Sequence, residues 1–461
     1  FTDNAIVGKA GLETNRTIYQ GESTLLKEVT TDYVSSGFYS ESLPSNIVTT
    51  LYGTSSPSDT QYQKVHYSYD TFTEFGRTYT DYGSYTAFID NPTEVLEYAS
   101  DQTTVLRRTT TDWLKTNPVN GKNYFSGDID GWYNIHIWNL KAAEKVFDPH
   151  LLPDDQQRSW TEYEYDQYTY SDFSQGRASS GATQHETRNW SGDLTKVNRR
   201  KKIGTTWTDY AITLNQYDDA GNVLATRDPG GHVSTFDFSD NWGNTACLPA
   251  NGYAKAYVKK MTNAAGHETI NWYNSCTGTV SSTKDPNQQI TNFTYDTDDR
   301  LWKIDLPLGG SVDAEKTYND ASRIITSEKL RDDAGHYIVS RLHYDGLGRK
   351  VLEELCLDEG CTITAKTETT YNPVGLVDCV TNPYIVQGES TSGTTCYDYD
   401  ALGRVIQLTP PDGNRANHSN VVRTEYSGNI TTTTDQADKQ RRTYTDPLGR
   451  LVQVDEPGVT Q

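Results

Sequence analysis

The sequence predicts an all-β fold, a long antiparallel ribbon of β-hairpins, and three observations carry that prediction. The first is a recurring tip. YDGLGRKV at 344–351 returns as YDALGRV at 399–405, and in looser form as YDDAGNV (217–223), YDTDDRL (295–301), YNDASRI (318–324), YNPVGLV (371–377) and YSGNI (426–430). A catalytic motif usually occurs once, whereas a structural unit recurs. The second is spacing: tips that start at Tyr295, Tyr318, Tyr344, Tyr371, Tyr399 and Tyr426 follow one another by 23, 26, 27, 28 and 27 residues. The third is composition, since 32 Tyr, 9 Trp, 11 Phe and 35 Gly against a single Met is a balance of strands and turns.

Each residue of the tip has a physical task. The Tyr ends a strand, its ring on the sheet and its hydroxyl directed to water or a backbone group. The Asp accepts hydrogen bonds from the amides of the turn ahead. The Gly supplies a positive φ at little cost. The Arg opens the return strand, its stem over the Tyr ring and its guanidinium toward the Asp. The residues given this structural role are Tyr217, Asp218 and Gly221; Tyr295, Asp296 and Arg300; Tyr344, Asp345, Gly348 and Arg349; Tyr399, Asp400, Gly403 and Arg404; and Asp446, Gly449 and Arg450.

Between tips lies a second half-motif of Asp-Pro or Pro-rich type: RDPGGHV (227–233), KDPNQQI (284–290), DLPLGGSV (305–312) and PPDGNR (410–415). TDPLGRLV (445–452) fuses the two, and its aromatic, Tyr444, stands one place early. Two turn types therefore alternate with stretches such as HVSTFDF (232–238) and QITNFTYD (289–296), where apolar and polar residues alternate at period two.

Toward the start the pattern loosens, dividing the chain into a degenerate repeat region, 1–213, and a regular one, 214–461. YSYDTFTEFGRTYTDYG (67–83) keeps start and finish, while EYEYDQYTYSDF (162–173) keeps the start and loses the finish. ASDQTTVLRRTTTDWL (99–114) and LNQYDDAGNVLATRD (214–228) read as strand pairs around polar turns. NIHIWNLKAAEKVFD (134–148) reads as strand with a turn near Ala142–Ala143, and QGESTLLKEV (20–29) fits either helix or strand.

A net charge of −21 argues against nucleic-acid binding, and the aromatic content argues against acidic disorder. No apolar run approaches the roughly 18 residues of a membrane helix. Six cysteines, Cys247, Cys276, Cys356, Cys361, Cys379 and Cys396, lack CxxC spacing and a His cluster, so zinc is disfavoured. Proximity suggests the local pairs 247–276, 356–361 and 379–396, although six cysteines permit many connectivities; reduced buried thiols are the other reading. An even count near loop tips favours an oxidising, extracytoplasmic setting. The chain starts without Met and stops mid-pattern, as expected of a piece of something longer.

These YDxxGR units, interleaved with DPxG turns, resemble the RHS/YD-repeat proteins, which include bacterial polymorphic toxins, the C component of insecticidal toxin complexes and animal teneurins. The resemblance covers 214–456 well and about 60–214 more thinly. It implies that the ribbon coils into a spiral shell or hollow barrel-like body, or extends as a fibre. It also implies a secreted or cell-surface, bacterial, non-enzymatic structural protein. Partners implied are its own C-terminal cargo or toxin domain, or neighbouring copies of itself. Family toxins end their shell with a self-cutting segment beside a DPxGxxDPxG-like signature; this chain has none.

No HExxH, GxSxG, P-loop or GxGxxG-to-helix signature is present, and no cofactor is expected. HETR (185–188) and GHE (266–268) put His beside Glu, but neighbours on a strand face opposite ways. Acidic stretches at 126–131, 153–156, 295–299 and 330–336 fit solvated turns, with incidental calcium the alternative. Two other functions stay open. Exposed rows of Trp113, Trp132, Trp138, Trp160, Trp190 and Trp207 would make a module that binds surface glycans or a receptor. Two convergent carboxylates would make a glycosidase.

Overall fold

The computed structural model describes residues 12–20, 23–34, 42–52, 60–74, 85–116, 121, 139–151, 153, 156–167, 192–248, 255–307, 313–330, 335–385 and 393–456, with side chains for all of these except 70–74 and 85–90. Among the described residues there are thirty β-strands, from Asn15–Gln20 to Leu451–Asp455, and no α-helix. Every strand ladder is antiparallel, apart from one isolated parallel bridge between Trp242 and Tyr273, and strands pair with their neighbours in the chain, which makes one continuous meander. The sheet is open. Its first strand pairs only with Thr24–Val34 and its last only with Gln440–Thr445 among the described residues.

One strand departs from the simple meander. Thr364–Tyr371 pairs along one edge with Lys350–Cys356 and along the other with both Val377–Thr381 and Tyr384–Ile385. The last two continue one another across Asn382–Pro383, where a proline without an N–H interrupts the ladder.

The ribbon is a single layer. It exposes 27876 Å², about 1.6 times the roughly 17,000 Å² of a compact monomer of this mass. Among the described residues the buried apolar ones are few and scattered: Leu26, Leu43, Leu140, Ala143, Tyr165, Leu214, Ala225, Tyr273 and Val421. The densest spot joins Leu214 and Ala225 to Ile212 and Val233. The ribbon also curls back on itself. The Ala401 amide donates to Gln20 Oε1 at 2.7 Å, and Gln61 Nε2 donates to the Thr445 carbonyl at 3.3 Å, across some 380 residues of chain.

Three local expectations are corrected. Ala142 and Ala143 lie inside the strand Lys141–Phe147, with no turn between them, because the segment is paired along one edge with Val105–Trp113 and along the other with Gln157–Tyr165. Residues 99–104 form a turn, held by the Asp101 carboxylate on the amides of Thr103 and Thr104, ahead of the single strand Val105–Trp113. The Asp-Pro turns at 227–233 and 284–290 are also the same turn as the tips, whereas 410–415 closes differently and 308–312 lie outside the described residues. The Asp-Pro turns at Asp228 and Asp285 close by the same pair of backbone bonds as the tips at Asp345 and Asp400: residue i donates to the carbonyl of i+4, and i+3 donates back to i. Proline occupies a turn position that needs no donor, so the two sequences share one backbone.

Candidate functional site

The tips at Asp218, Asp296, Asp345, Asn372, Asp400 and Asp446 are three-residue loops whose last residue has positive φ, a geometry that shifts the register of the returning strand by one. Such a shift falls next to the aromatic at Tyr217, Tyr273, Tyr295, Tyr344, Tyr371 and Tyr399. Gly348, Gly403 and Gly449 take φ of 76°, 75° and 75° at that position, where Asp299 takes 60°. A Cβ on Gly348 would meet nothing within 4 Å, so the requirement there is conformational rather than steric crowding. Gly348→Val is expected to destabilise its hairpin by about 1–3 kcal/mol. Equal urea midpoints for variant and parent would contradict it.

The acid and the base of each tip lock together. Arg Nε donates to Asp Oδ2 at 2.7 Å in four tips, Arg300–Asp296, Arg349–Asp345, Arg404–Asp400 and Arg450–Asp446. In each the Arg backbone amide also donates to Asp Oδ1, at 2.9 Å. The Asp345 carboxyl is held below its ordinary value by the Arg349 amide first and by its guanidinium next. Burial works against ionisation of Asp296 and Asp446, yet the same bonds outweigh it and their values also fall. A carboxyl lowered on folding stabilises above its unfolded pKa, and that contribution is lost as pH falls through the folded value. Stability should therefore drop below about pH 4, and Asp345→Asn should flatten the slope of urea midpoint against pH between 5 and 2.5. An unchanged slope would remove Asp345 from the account.

The ring under each Arg is not the one expected. Arg300, Arg349 and Arg404 lie over the aromatic of the next tip, 4.4, 4.3 and 4.1 Å from the centroids of Tyr318, Tyr371 and Tyr426. The sequence reading placed each Arg over its own Tyr. The bulge turns the Arg toward the neighbouring hairpin instead. The Tyr hydroxyl points back the same way: Tyr318, Tyr371, Tyr399 and Tyr426 donate to the carbonyls of Leu301, Lys350, Val377 and Val405. These four tips are thus fastened to the ones before them.

Two further tips are split and were missed. The buried carboxylate of Asp166 accepts from the amides of Gly192 and Asp193, each at 3.1 Å. That of Asp240 accepts from Lys255 at 2.6 Å and Ala256 at 3.2 Å. The finish that seemed lost after 165 lies beyond a long insertion. Asp218 closes on Asn222 rather than an Arg. In the 318–323 tip Ser322 stands where Gly would, and the positive φ moves to Arg323, at 57°. A serine resists that conformation, so the turn shifts and Arg323 is not clamped to an acid as the other arginines are.

The six cysteines form three disulfides, Cys247–Cys276, Cys356–Cys361 and Cys379–Cys396. The acidic stretch 295–299 surrounds Arg300, which also reaches Asp298 and Asp320. Glu268 pairs with Lys260, whereas His267 contacts Asn263. No group of three metal-ligating side chains occurs among the described residues. Trp113, Trp160 and Trp207 are half-buried; Trp113 donates to the Pro92 carbonyl, and Trp160 meets Trp207 edge to face under Arg200. Trp132, Trp138, Trp190, His185 and the acidic stretch 126–131 lie outside the described residues, as do 154–155 and 331–334.

A cleft of about 820 Å³ opens where the curl brings Gln20, Thr24 and Leu26 against the tips at 399–426. On its floor Gln407, 5% exposed, is bonded to Asp398, Thr409 and His418, while Arg415 joins Asp398 at 2.6 Å to Asp378 at 2.9 Å. These groups satisfy one another, which makes the cleft a seam of the curl. No described helix is long and apolar enough to cross a membrane.

No family model and no curated protein matches the chain. Among solved structures it is similar to a chain of the TcdB2–TccC3 complex, with a TM-score of 0.25 and 11% identity over 96% of this chain. It is similar also to a chain of the Photorhabdus luminescens Tc holotoxin pore, with a TM-score of 0.23 and 12% identity over 94%. A porin-like protein from Bacteroides uniformis aligns with 63% of this chain and 89% of its own, at a TM-score of 0.15 and 14% identity. The chain spans 29% and 26% of the two toxin-complex chains.

Proposed function

We propose that this chain is a stretch of non-enzymatic wall: a curled, single-layer β-ribbon that forms part of an extracytoplasmic bacterial shell around a cargo, with no cofactor of its own. The observation that carries the reading is the fastening of tip to tip by Arg, Asp and Tyr in a sheet that has almost no core. Such a sheet cannot be held by burial, so it is held hairpin by hairpin along its edge. The contacts across some 380 residues of chain fit a ribbon that coils. Three disulfides suit an oxidising compartment. The partners of a wall are what it encloses and the neighbouring turns of the same ribbon.

The glycan-binding reading draws no support from Trp113, Trp160 and Trp207, which are half-buried and engaged within the protein. Negative-stain electron microscopy of the chain within its natural parent tests the shell. Closed hollow particles with internal density are expected; open rods would replace the shell with a fibre.

A further inference from the structure

The fastening of the tips alternates. From Asp296 onward, the residue that closes a tip lies on the next aromatic at every second step. Upstream, Tyr257, one residue past the Ala256 that closes the Asp240 tip, stacks on Tyr273 with 4.8 Å between centroids. Arg300 covers Tyr318, Arg349 covers Tyr371, and Arg404 covers Tyr426. Among the described residues, no cation or aromatic ring from the preceding tip lies on Tyr295, Tyr344, Tyr399 or Tyr444, although at the step to Tyr399 the Leu376 side chain reaches toward Gly403. The uncovered steps follow the tips in which Asn274, Asn319, Asn372 or Ser427 replaces the acid. Without the carboxylate there is no anchor for an Arg, and the closing residues are Thr279, a displaced Arg323, Leu376 and the short Gly428–Asn429 turn.

We infer that the ribbon is a series of stiff plates, each of two tips, joined by softer hinges, and that the hinge between Arg323 and Tyr344 is the softest. The other hinges have substitutes for the missing clamp. Tyr295 donates to the Val280 carbonyl at 2.8 Å. The step to Tyr399 keeps its hydroxyl bond and is braced by Cys379–Cys396 and by Arg415 between Asp378 and Asp398. Asn429 and Thr445 bond one another across the last step. At the Arg323–Tyr344 step the two tips are joined by the backbone bond from Tyr344 N to Arg323 O, at 3.0 Å, and among the described residues no clamp, hydroxyl bond or disulfide runs between Arg323 and Tyr344.

Hydrogen exchange on the whole chain reads this directly, since local opening sets the rate. Amides in Ile324–Leu330 and Tyr337–Tyr344 should exchange about tenfold faster than those in Lys350–Cys356 and Thr364–Tyr371, the difference expected of one ion pair plus one cation–π contact. Asn319→Asp with Ser322→Gly restores the acid and the glycine, leaving Arg323 free to clamp the new carboxylate and cover Tyr344. The double variant should close most of the gap, and adding Arg323→Ala should reopen it. Equal exchange across the wild-type plates and hinge would overturn the inference, whatever the variants do. So would a triple variant as slow as the double, which would credit the turn and not the clamp.

Discussion

Leu214→Ala should lower the urea midpoint of the chain by the equivalent of about 3 to 4 kcal/mol. Leu214 is 2% exposed and packs with Ala225, Ile212 and Val233 in the densest apolar spot of a ribbon that has few others. Its removal leaves a cavity that the ladder on both sides holds open, since Leu214 pairs with Arg227 on one neighbour and Lys196 on the other. The control is Leu355→Ala, where a side chain 41% exposed loses little on truncation, below about 1 kcal/mol. Similar shifts for both would mean that the sheet draws its stability evenly from all apolar positions.

Replacing both Cys247 and Cys276 with Ser should cost about as much, roughly 3 to 4 kcal/mol, because the bridge closes the longest loop of the three. Its sequence separation is 29, against 5 for Cys356–Cys361, whose loss should cost about 2 kcal/mol. The bridge also pins a flap. Gly243 donates to the Tyr273 carbonyl, Tyr273 donates to that of Asn241, and Trp242 meets Tyr257 edge to face. Freeing the flap uncovers the Tyr257–Tyr273 stack, so tryptophan fluorescence should change before the rest of the ribbon unfolds. A larger loss from the short bridge would reverse the ranking and remove loop closure as its basis.

Much of this architecture was legible because the tip is local. Tyr, Asp, Gly and Arg within six residues fix a turn whose backbone depends on nothing distant, and period-two alternation marks the strands between. What stayed hidden was relational. That Arg349 serves Tyr371 and not Tyr344 follows from the bulge, which re-aims the side chain across the sheet. The finishes of the Asp166 and Asp240 tips were hidden by the residues inserted before them. The alternation of plates and hinges was present in the letters, as Tyr-Asp at 295, 344 and 399 against Tyr-Asn at 273, 318 and 371. It was obscured by treating Asn as a conservative stand-in for Asp, when only the carboxylate can hold a guanidinium in a short ionic contact. The curl, set by contacts between Gln20 and Ala401, has no signature in either neighbourhood.

The split tips make the ribbon an acceptor for foreign sequence. Asp166 finds its closing amides 26 and 27 residues downstream, yet its own amide donates to the Asp193 carbonyl just as that of Asp345 donates to Arg349 in a tip closed in four. Closure is decided by the two ends, and the entropy of the path between them grows by only about 0.6 kcal/mol for each doubling of its length. A folded passenger spliced between Gln167 and Gly192 would therefore leave the strands Gln157–Tyr165 and Leu194–Ile203 in register. Such a wall can be decorated from within its own chain, one graft per tip, without rebuilding the sheet that carries it.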